Sequence, residues 1–421
     1  MKRIISRSLL MAAVVSAAVF AGCQHESMPV QQLGSTEGLQ HDDVIPGQFI
    51  ITLNPTTDRM KAALDFPSEM SYEQRDARVA EIATEILMEN GVAEPIIKYA
   101  YGTVLLGFTT VLTDAERERV SADPNIKLVE EDRFVSLGRG DKGKPGSGDG
   151  GTVTRPTQVT PYGISDVGGA TDMSSSSKKA WIMDTGIDAD HPDLNINTSL
   201  SHTVFTSGKD SKNWDDGNGH GTHVAGTVGA KDDGYDVVGV AAGIELVAVK
   251  VLSAQGSGSY SGIISGINYV AANANSGDVA NMSLGGSYNS ALNQAVIDAA
   301  SGKNGNPVLF ALAAGNESTS ATSKSPASAN HANIYTVSAH DNNDRFASFS
   351  NYGNPPVDFC APGVSINSTW KGGGLRTISG TSMASPHVCG ILAVKGTVYS
   401  RGTVSNDPDG DADDLATTVA P

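Results

Sequence analysis

Between residues 45 and 137 the apolar positions switch between strand-like alternation and a helix-like period of about 3.6 residues. The stretch GQFIITL alternates as a strand does, and IIKYAYGTVLLGFTTVL predicts two strands around a turn at Gly102. In SYEQRDARVAEIATEILMENG, Val79, Ile82, Ile86 and Leu87 predict an amphipathic helix that ends near Gly91. TDAERERVSADP and IKLVEEDRFVSL predict a short helix and a last strand. The order β-α-β-β-α-β is typical of a small α+β, ferredoxin-like domain.

From residue 158 onward, short runs that are apolar throughout are separated by helical stretches. The runs are KAWIMDTG, ELVAVKVL, VANMSLGG, PVLFALAAGN and NIYTVSAH. The helical stretches are GHGTHVAGTVGA, SYSGIISGINYVAANA and SALNQAVIDAASG. Strands of this kind are buried on both faces, so residues 158–421 are expected to form an α/β domain with a parallel sheet between two helix layers. Functional residues should then gather at the carboxyl ends of the strands.

The two predicted domains are joined by residues 138–157, which are rich in Gly, Lys and Pro and have no periodicity. Such a segment is expected to be an exposed linker that proteases cut readily.

The first 23 residues have the pattern of a targeting signal. A basic start, MKRIISR, precedes the apolar stretch SLLMAAVVSAAVFAG, which is too short for a membrane span. The stretch ends at Cys23 and resembles a bacterial lipoprotein signal, which would make Cys23 the site of a lipid anchor. An ordinary cleaved signal is the alternative. Either implies export, to the extracellular space or the outer-membrane surface of a bacterium, and residues 24–44 would be a polar tether.

Composition limits the class of function. The chain has 421 residues, of which 39% are hydrophobic, and 47 glycines, as a globular protein with many turns does. Its net charge of −17 makes it a poor partner for nucleic acid. In an exported protein, Cys360 and Cys389 could form one disulfide or remain two separate buried thiols.

Two residues of the second domain are candidates for hydrolytic chemistry. Asp184 ends a buried strand in a glycine turn, where a structural role as a cap or turn residue is the alternative. His220 lies between glycines in DDGNGHGTHVAGT, just before a helix. His223 is three residues further, but the acidic residue of a HExxH metal motif is missing. His223 is therefore expected to be a packed core histidine.

Ser382 lies at the start of an apolar helix in GTSMASPHVCG. Thr381 and Ser382 can cap a helix, and Pro386 is tolerated only near a helix start, so the helix should begin at about Ser382. Amide N–H groups and the helix dipole would then favour negative charge at the serine oxygen. Plain N-capping is the alternative.

The blocks DTGIDADHPDL, GHGTHVAGT and GTSMASPHV resemble the three active-site blocks of subtilisin-like serine proteases, in that family's chain order of Asp, His and Ser. The resemblance implies a subtilisin-like fold, with Ser382 as nucleophile, His220 as its base and Asp184 as the orienting carboxylate. ALAAGNES resembles the block whose asparagine, here Asn316, donates to the oxyanion together with the Ser382 N–H.

The same resemblance implies how peptides bind. NMSLGG is similar to the edge strand that pairs with substrate, which would place Ser283, Leu284 and Gly285 along the cleft. GSGSYSG is similar to the opposing segment, with Tyr260 as a pocket wall. A roomy apolar first pocket is expected around the segment Ala313, Ala314 and Gly315.

The front domain, residues 45–137, resembles the family's inhibitory propeptide. It would assist folding and block the cleft with its last strand, and the enzyme would cut itself in the linker 138–157, near Thr157 or Gln158. The expected partners are protein or peptide substrates and this intramolecular inhibitor, in a monomer.

A structural calcium ion is also implied by the resemblance, and no organic cofactor is. All the implied ligands offer oxygen atoms, as calcium prefers. They are the side chains of Gln158, Asp193 and Asp233 and the carbonyls of Lys231, Tyr235 and Val237. The acidic stretch NDPDGDADD lacks the distal glutamate of an EF-hand and is expected to be a surface loop. The residues from Val398 onward are expected to form little more than a short helix.

Two other functions fit less well. A catalytically silent binding module on the same fold would lose a catalytic residue or Asn316, yet all four are present. An esterase of the α/β-hydrolase type would need G-x-S-x-G and the order Ser, Asp, His, neither of which occurs around Ser382.

Overall fold

The computed structural model describes residues 34–67, 69–137 and 155–421. The predicted signal, Cys23 and most of the predicted linker lie outside these residues. The elements of the front domain, in chain order, are β1 (Val44–Leu53), α1 (Asp58–Ala63), α2 (Tyr72–Glu89), β2 (Ile97–Tyr101), β3 (Gly107–Val111), α3 (Asp114–Ser121) and β4 (Ile126–Ser136).

The front domain has the predicted order of elements, with the short helix α1 as an addition. Its strands pair antiparallel in the order β4-β1-β3-β2. Helix α2 begins with a capping box of Ser71 and Gln74, and α3 with one of Thr113 and Glu116. The apolar side of α2 packs on this sheet in one core, so the ferredoxin-like prediction is confirmed.

The second domain contains the remaining elements. The helices are α4 (Tyr162–Asp166), α5 (His220–Gly229), α6 (Tyr260–Asn273), α7 (Ser290–Ser301) and α8 (Thr381–Lys395). The strands of the main sheet are β6 (Lys179–Asp184), β7 (His202–Thr203), β9 (Glu245–Lys250), β11 (Val279–Met282), β13 (Leu309–Ala313), β15 (Ile334–His340), β16 (Val357–Pro362), β19 (Tyr399–Thr403) and β20 (Asp414–Thr417). The shorter or separate strands are β5 (Thr171–Asp172), β8 (Ala241–Ala242), β10 (Ser257–Ser259), β12 (Gly286–Ser287), β14 (Lys324–Ser325), β17 (Ile366–Trp370) and β18 (Gly374–Ile378).

Within the described residues, the main sheet has nine strands in the order β19-β20-β16-β15-β13-β11-β6-β9-β7. Of these strand pairs, only β19–β20 is antiparallel. Helices α5 and α8 share one hydrophobic core with one face of the sheet. Helices α6 and α7 share a second core with the other face. Neighbouring residues of β6 alternate between the two cores, Ile182 in the first and Trp181 in the second. The prediction of a parallel sheet covered on both faces is therefore confirmed.

The C-terminal prediction is wrong. Instead of a short helix, the last residues form β19 and β20, and β20 continues the main sheet with Leu415 paired to Cys360 of β16. The surface-loop prediction for NDPDGDADD holds for its first residues, but Asp413 is buried and accepts a hydrogen bond from the hydroxyl of Ser338. The strand forms because Leu415 and Ala416 have apolar surface that the sheet edge can bury.

The two cysteines of this domain are separate. Cys360 lies in β16 and Cys389 in α8, and both are buried free thiols. Of the two alternatives left open by the sequence, the structure shows the pair of separate thiols. Among the described residues no helix is long and apolar enough to cross a membrane.

Candidate active site

The carboxylate of Asp184 and the imidazole of His220 are in direct contact. Asp184 is the last residue of β6 and is fully buried, and His220 is the first residue of α5. His220 Nδ1 lies 2.8 and 2.9 Å from the two carboxylate oxygens. Burial opposes the charged imidazolium, but the neighbouring Asp184 carboxylate outweighs it, so the pKa of His220 is raised. With Nδ1 held as a donor, Nε2 is left as the basic atom.

The close approach of these two elements depends on Gly221. A Cβ at Gly221 would lie 2.1 Å from the carbonyl oxygen of Gly186 and 3.1 Å from the Asp184 Cβ. The start of α5 can therefore pack on the turn after β6 only with glycine at this position.

Asp216 joins the His220 helix to the Asp184 turn and was missed by the sequence analysis. Its Oδ2 accepts hydrogen bonds from the N–H (3.0 Å) and hydroxyl (2.7 Å) of Thr222, in the first turn of α5. Its Oδ1 accepts from the hydroxyl of Thr185 (2.9 Å), the residue after Asp184. A carboxylate before a helix start is a recognisable N-terminal signal, so the DDGNGHG pattern could have identified it.

Ser382 lies in the first turn of α8, and α8 packs against α5. The helix begins at Thr381, one residue from the predicted start, but its N-cap is Gly380 and no side chain caps it. Ser382 Oγ donates a hydrogen bond to the Ser283 carbonyl at 3.3 Å. The hydroxyl of Ser382 is thus held toward the segment that follows β11.

Asn316 follows β13 and is fixed by the residue before the serine. Its Oδ1 accepts from the N–H (2.8 Å) and the hydroxyl (3.1 Å) of Thr381. The Thr381 hydroxyl also accepts from the Gly315 N–H at 3.1 Å. Because Oδ1 is engaged, the Asn316 side chain presents its Nδ2 donors elsewhere, as an oxyanion donor must. The capping role predicted for Thr381 is thus replaced by orientation of this amide.

The last strand of the front domain occupies one side of the predicted cleft. In β4, Phe134 and Ser136 pair antiparallel with Ser259 and Ser257 of β10, the predicted substrate-binding segment. The next residue, Leu137, donates from its N–H to the Gly256 carbonyl at 2.7 Å. An extended chain that adds to an exposed strand edge in this way binds as a peptide does.

The residues of the other predicted edge differ in burial. Ser283 is buried against the serine helix, Leu284 is 7% exposed and Gly285 half-buried. On its other side, β4 pairs at Phe134 with residues 42–43 of the predicted tether. The Asp42 N–H donates to the Phe134 carbonyl, and the Phe134 N–H donates to the Asp43 carbonyl, both at 2.8 Å. Asp42 also accepts from the Ser287 N–H at 2.7 Å. Part of the tether is therefore packed against the cleft.

The predicted pocket residues differ in exposure. Tyr260 is buried in the same hydrophobic cluster as Val135 of the strand β4, as a pocket wall would be, and its hydroxyl donates to the Ser287 carbonyl at 2.6 Å. Ala313 is 6% exposed, and Gly315 is half-buried. Ala314 is fully buried in a separate cluster with Ala321, Ala327 and Val357. The Ala314 side chain thus packs behind the end of β13.

His223 is a packed core residue, as predicted. It is fully buried, and its Nε2 lies 3.1 Å from the carbonyl oxygens of Ile366 and Arg376. Burial lowers its pKa to about 3, so it remains neutral.

Two of the predicted calcium ligands, Asp193 and Asp233, bond to a protein cation. Arg155 Nη2 lies 2.8 Å from Asp193 Oδ1, and Nη1 lies 3.0 Å from Asp233 Oδ2. Gln158 is engaged with Asp232 and with the Gly234 N–H. The remaining predicted ligands are the carbonyls of Lys231, Tyr235 and Val237, and they cannot form a calcium site without the side chains that Arg155 and Asp232 already engage. With Arg155 in this position, the residues present do not fit a calcium ion.

A second acidic group, Asp166, His340 and Asp344, also has ligand atoms close together. The Arg401 guanidinium bonds to both of its carboxylates, at 2.7 and 2.6 Å. This group is therefore an ion-pair network.

Comparison with known proteins agrees with this geometry. The subtilase family model matches residues 180–406, and the peptidase inhibitor I9 model matches residues 48–138. Proteinase R of Parengyodontium album is 39% identical over 73% of this chain and 74% of its own length. Alkaline serine exoprotease A of Vibrio alginolyticus is 32% identical over 92% of this chain and 70% of its own.

A solved structure, of a cold-adapted subtilisin-like serine proteinase, is 38% identical with a TM-score of 0.51. The match covers 59% of this chain and 91% of that one. The aligned sequence and the paired Asp184 and His220 lead to one conclusion: the chain belongs to the subtilase family and is a serine protease with an I9 inhibitor domain in front of its protease domain.

Proposed function

We propose that this protein is an exported serine endopeptidase, made as a zymogen, that cuts its own linker and then hydrolyses proteins through an acyl-enzyme. The observation that carries the proposal is the hydrogen bond between Asp184 and His220 Nδ1 at 2.8 Å, on the helix that packs against the Ser382 helix.

The proposed chemistry follows from the roles that this geometry allows. Ser382 Oγ attacks the scissile carbonyl carbon while His220 Nε2 takes the hydroxyl proton, and Asp184 stabilises the imidazolium. The oxyanion accepts from Asn316 Nδ2 and from the Ser382 N–H. The intermediate collapses as the C–N bond breaks, and His220 gives its proton to the leaving amine. Water then repeats the sequence and releases the acid product.

Inhibition by the front domain is supported by further contacts of its strand β4 with the starts of α6 and α7, in addition to the pairing with β10. The Glu130 carboxylate accepts from the N–H groups of Ser290 (3.0 Å) and Ala291 (2.9 Å), at the start of α7, where the helix dipole favours an anion. Asp132 accepts from the Ser261 N–H at 3.1 Å. A peptide substrate would have to displace the front-domain strand to use the same edge.

The proposal also includes export and attachment of a lipid. They rest on the signal-like first residues and on Cys23, which the structure does not describe. Labelling cells with a radioactive fatty acid tests them, since Cys23→Ala should lose the label and still be exported.

The main test compares the chain expressed without residues 1–23 with its Ser382→Ala variant. We expect the parent to split within residues 138–157 and to digest casein, both followed by intact mass and by peptide release. The Ser382→Ala protein should stay intact, because losing the nucleophile in this family costs roughly a millionfold in rate.

Equal behaviour of the two proteins would reject the enzyme in favour of the binding module. If both chains are cut in the linker but only the parent digests casein, the enzyme stands and self-cleavage is rejected. Lys209→Gln, a change at an exposed side chain outside the proposed catalytic groups, serves as a control that should leave casein digestion intact.

A further inference from the structure

The guanidinium of Arg155 sits among three carboxylates of the second domain. Its Nε lies 2.6 Å from Asp236 Oδ2, its Nη1 3.0 Å from Asp233 Oδ2 and its Nη2 2.8 Å from Asp193 Oδ1. Its carbon Cζ lies 5.0 Å from the centre of the Tyr235 ring. One planar cation thus satisfies three acids from two loops and stacks on an aromatic face.

These acids need a positive partner. The side chains of Asp193 and Asp236 are 0% and 2% exposed, whereas Asp233 is 33% exposed and partly solvated. A buried carboxylate that loses its partner is strongly destabilising, because water cannot replace the lost interaction. A cation at this position therefore stabilises the folded protein.

The main chain fixes Arg155 in place. The Pro156 carbonyl accepts from the Asp236 N–H at 3.0 Å, and the Asp236 carbonyl accepts from the Val159 N–H at 2.9 Å. Thr157 and Tyr235 form an antiparallel bridge. The segment that follows Arg155 is thus paired with the loop that carries Asp233 and Asp236. This main-chain pairing positions the guanidinium next to the carboxylates.

A calcium ion and this guanidinium exclude each other. Calcium would require oxygen atoms of Asp193 and Asp233 at about 2.3–2.6 Å around one centre. In the structure the same two side chains already bond to the two terminal nitrogens of Arg155.

We propose that Arg155 is the resident cation of this site in the uncut chain, in the place where the family resemblance predicts calcium, so that the zymogen holds its Asp193 and Asp233 loops together without the metal. A cut near Thr157 or Gln158 would leave Arg155 on the front-domain fragment and open the site to another cation. Calcium can enter only when the guanidinium is removed. The inference concerns stability and does not depend on the proposed catalytic activity.

The test is thermal unfolding of the full chain in a Ser382→Ala background, which prevents self-digestion, in excess calcium chloride and in excess chelator. The variants are Arg155→Gln, Arg155→Lys and Asp193→Asn. Arg59→Gln is the matched control, because Arg59 also bridges two carboxylates, Glu85 and Glu89, but at a more exposed position.

In chelator, we expect Arg155→Gln to lower the unfolding midpoint by about 5–10 °C, while Arg59→Gln lowers it by about 1–2 °C. Arg155→Lys should recover part of the loss, because a lysine restores the charge without the planar fork. Calcium should raise the midpoint of Arg155→Gln more than that of the parent.

Two results would overturn the proposal. One is an Arg155→Gln protein as stable in chelator as the parent. The other is a parent midpoint that calcium raises as much as that of Arg155→Gln, with the increase lost in Asp193→Asn, since calcium would then occupy the site beside Arg155.

Discussion

The hydroxyl of Ser283 donates a hydrogen bond to the main-chain carbonyl of Ser382 at 2.9 Å. In an α-helix this carbonyl would accept from the N–H four residues on, but that residue is Pro386, which has none. Ser283 therefore supplies the donor that the helix lacks, and its own carbonyl accepts from Ser382 Oγ at 3.3 Å. Ser283 and Ser382 are thus held together by one reciprocal pair of hydrogen bonds.

Ser283→Ala should lower kcat about fivefold with little change in KM, because an unpaired buried carbonyl costs about 1 kcal/mol and lets the serine turn shift. Steady-state hydrolysis of a peptide substrate measures both constants. Ser385→Ala is the control, since Ser385 Oγ contacts Ser283 Oγ at 3.0 Å but not the Ser382 carbonyl. Equal losses in the two variants would show that the carbonyl contact has no special role.

Asn316→Ala should lower kcat about 10²–10³-fold and leave KM nearly unchanged, the loss known for such a donor in this family, because the contact forms with the oxyanion only. Thr381→Val should give a smaller loss, since it removes the hydroxyl that orients the amide but leaves the Thr381 N–H bond. Kinetics of both variants on one peptide substrate test this. A change in KM alone would place Asn316 in substrate binding.

The pH dependence of catalysis should follow His220. The enzyme needs the neutral imidazole, so kcat/KM falls as the pH drops through the pKa of His220, which Asp184 raises. Asp184→Asn should lower kcat by about 10⁴-fold and move the acid limb of the residual activity to lower pH, because the raising charge is gone. The measurement is kcat/KM against pH. An acid limb that stays in place would assign it to another group.

The contact between the two domains should weaken as the pH rises. Burial raises the pKa of Asp76 to about 6, against the hydrogen bonds that Asn268 and the Gly102 N–H donate to its carboxylate. A raised pKa means that this stabilising contribution is fully present below the ordinary aspartate pKa of about 4 and is lost as the pH passes 6.

The unfolding midpoint of the Ser382→Ala chain tests this between pH 4 and 8. Asp76→Asn cannot ionise, so its free energy of unfolding should rise relative to that of the parent as the pH rises, by on the order of 1–3 kcal/mol. Asp132 and Lys98 face the same interface, and Asp132→Asn provides the comparison for a second buried acid. A constant difference between Asp76→Asn and its parent would rule the Asp76 titration out.

The two thiols should be chemically silent in the native protein. Burial raises the pKa values of both Cys360 and Cys389, so little thiolate is available. Reductant should leave the unfolding midpoint unchanged, and iodoacetamide should modify both residues only after unfolding, as mass spectrometry can follow. A midpoint that falls in reductant would reveal a disulfide.

The sequence predicted most of the secondary structure because those elements have strong local signals. Helix α2 carries its own capping box, and β6 and β9 are continuous apolar runs. Strands β16 to β20 were missed because each is only four to six residues long, too short for a clear apolar pattern. β20 has only its few apolar residues as a signal, and it becomes a strand by pairing Leu415 with Cys360 of β16, far earlier in the chain.

The candidate catalytic residues Asp184, His220, Asn316 and Ser382 were singled out from the sequence because each lies in a long block of neighbouring residues that resembles a known family. Their support comes from distant parts of the chain. Ser283 meets Ser382 across 99 positions, and Arg155 meets Asp236 across 81. Local patterns determine which segments form helices and strands and which side chains could react. Only the packed tertiary structure decides which carboxylates lose their water and which cation replaces it, because that depends on contacts between residues far apart in sequence.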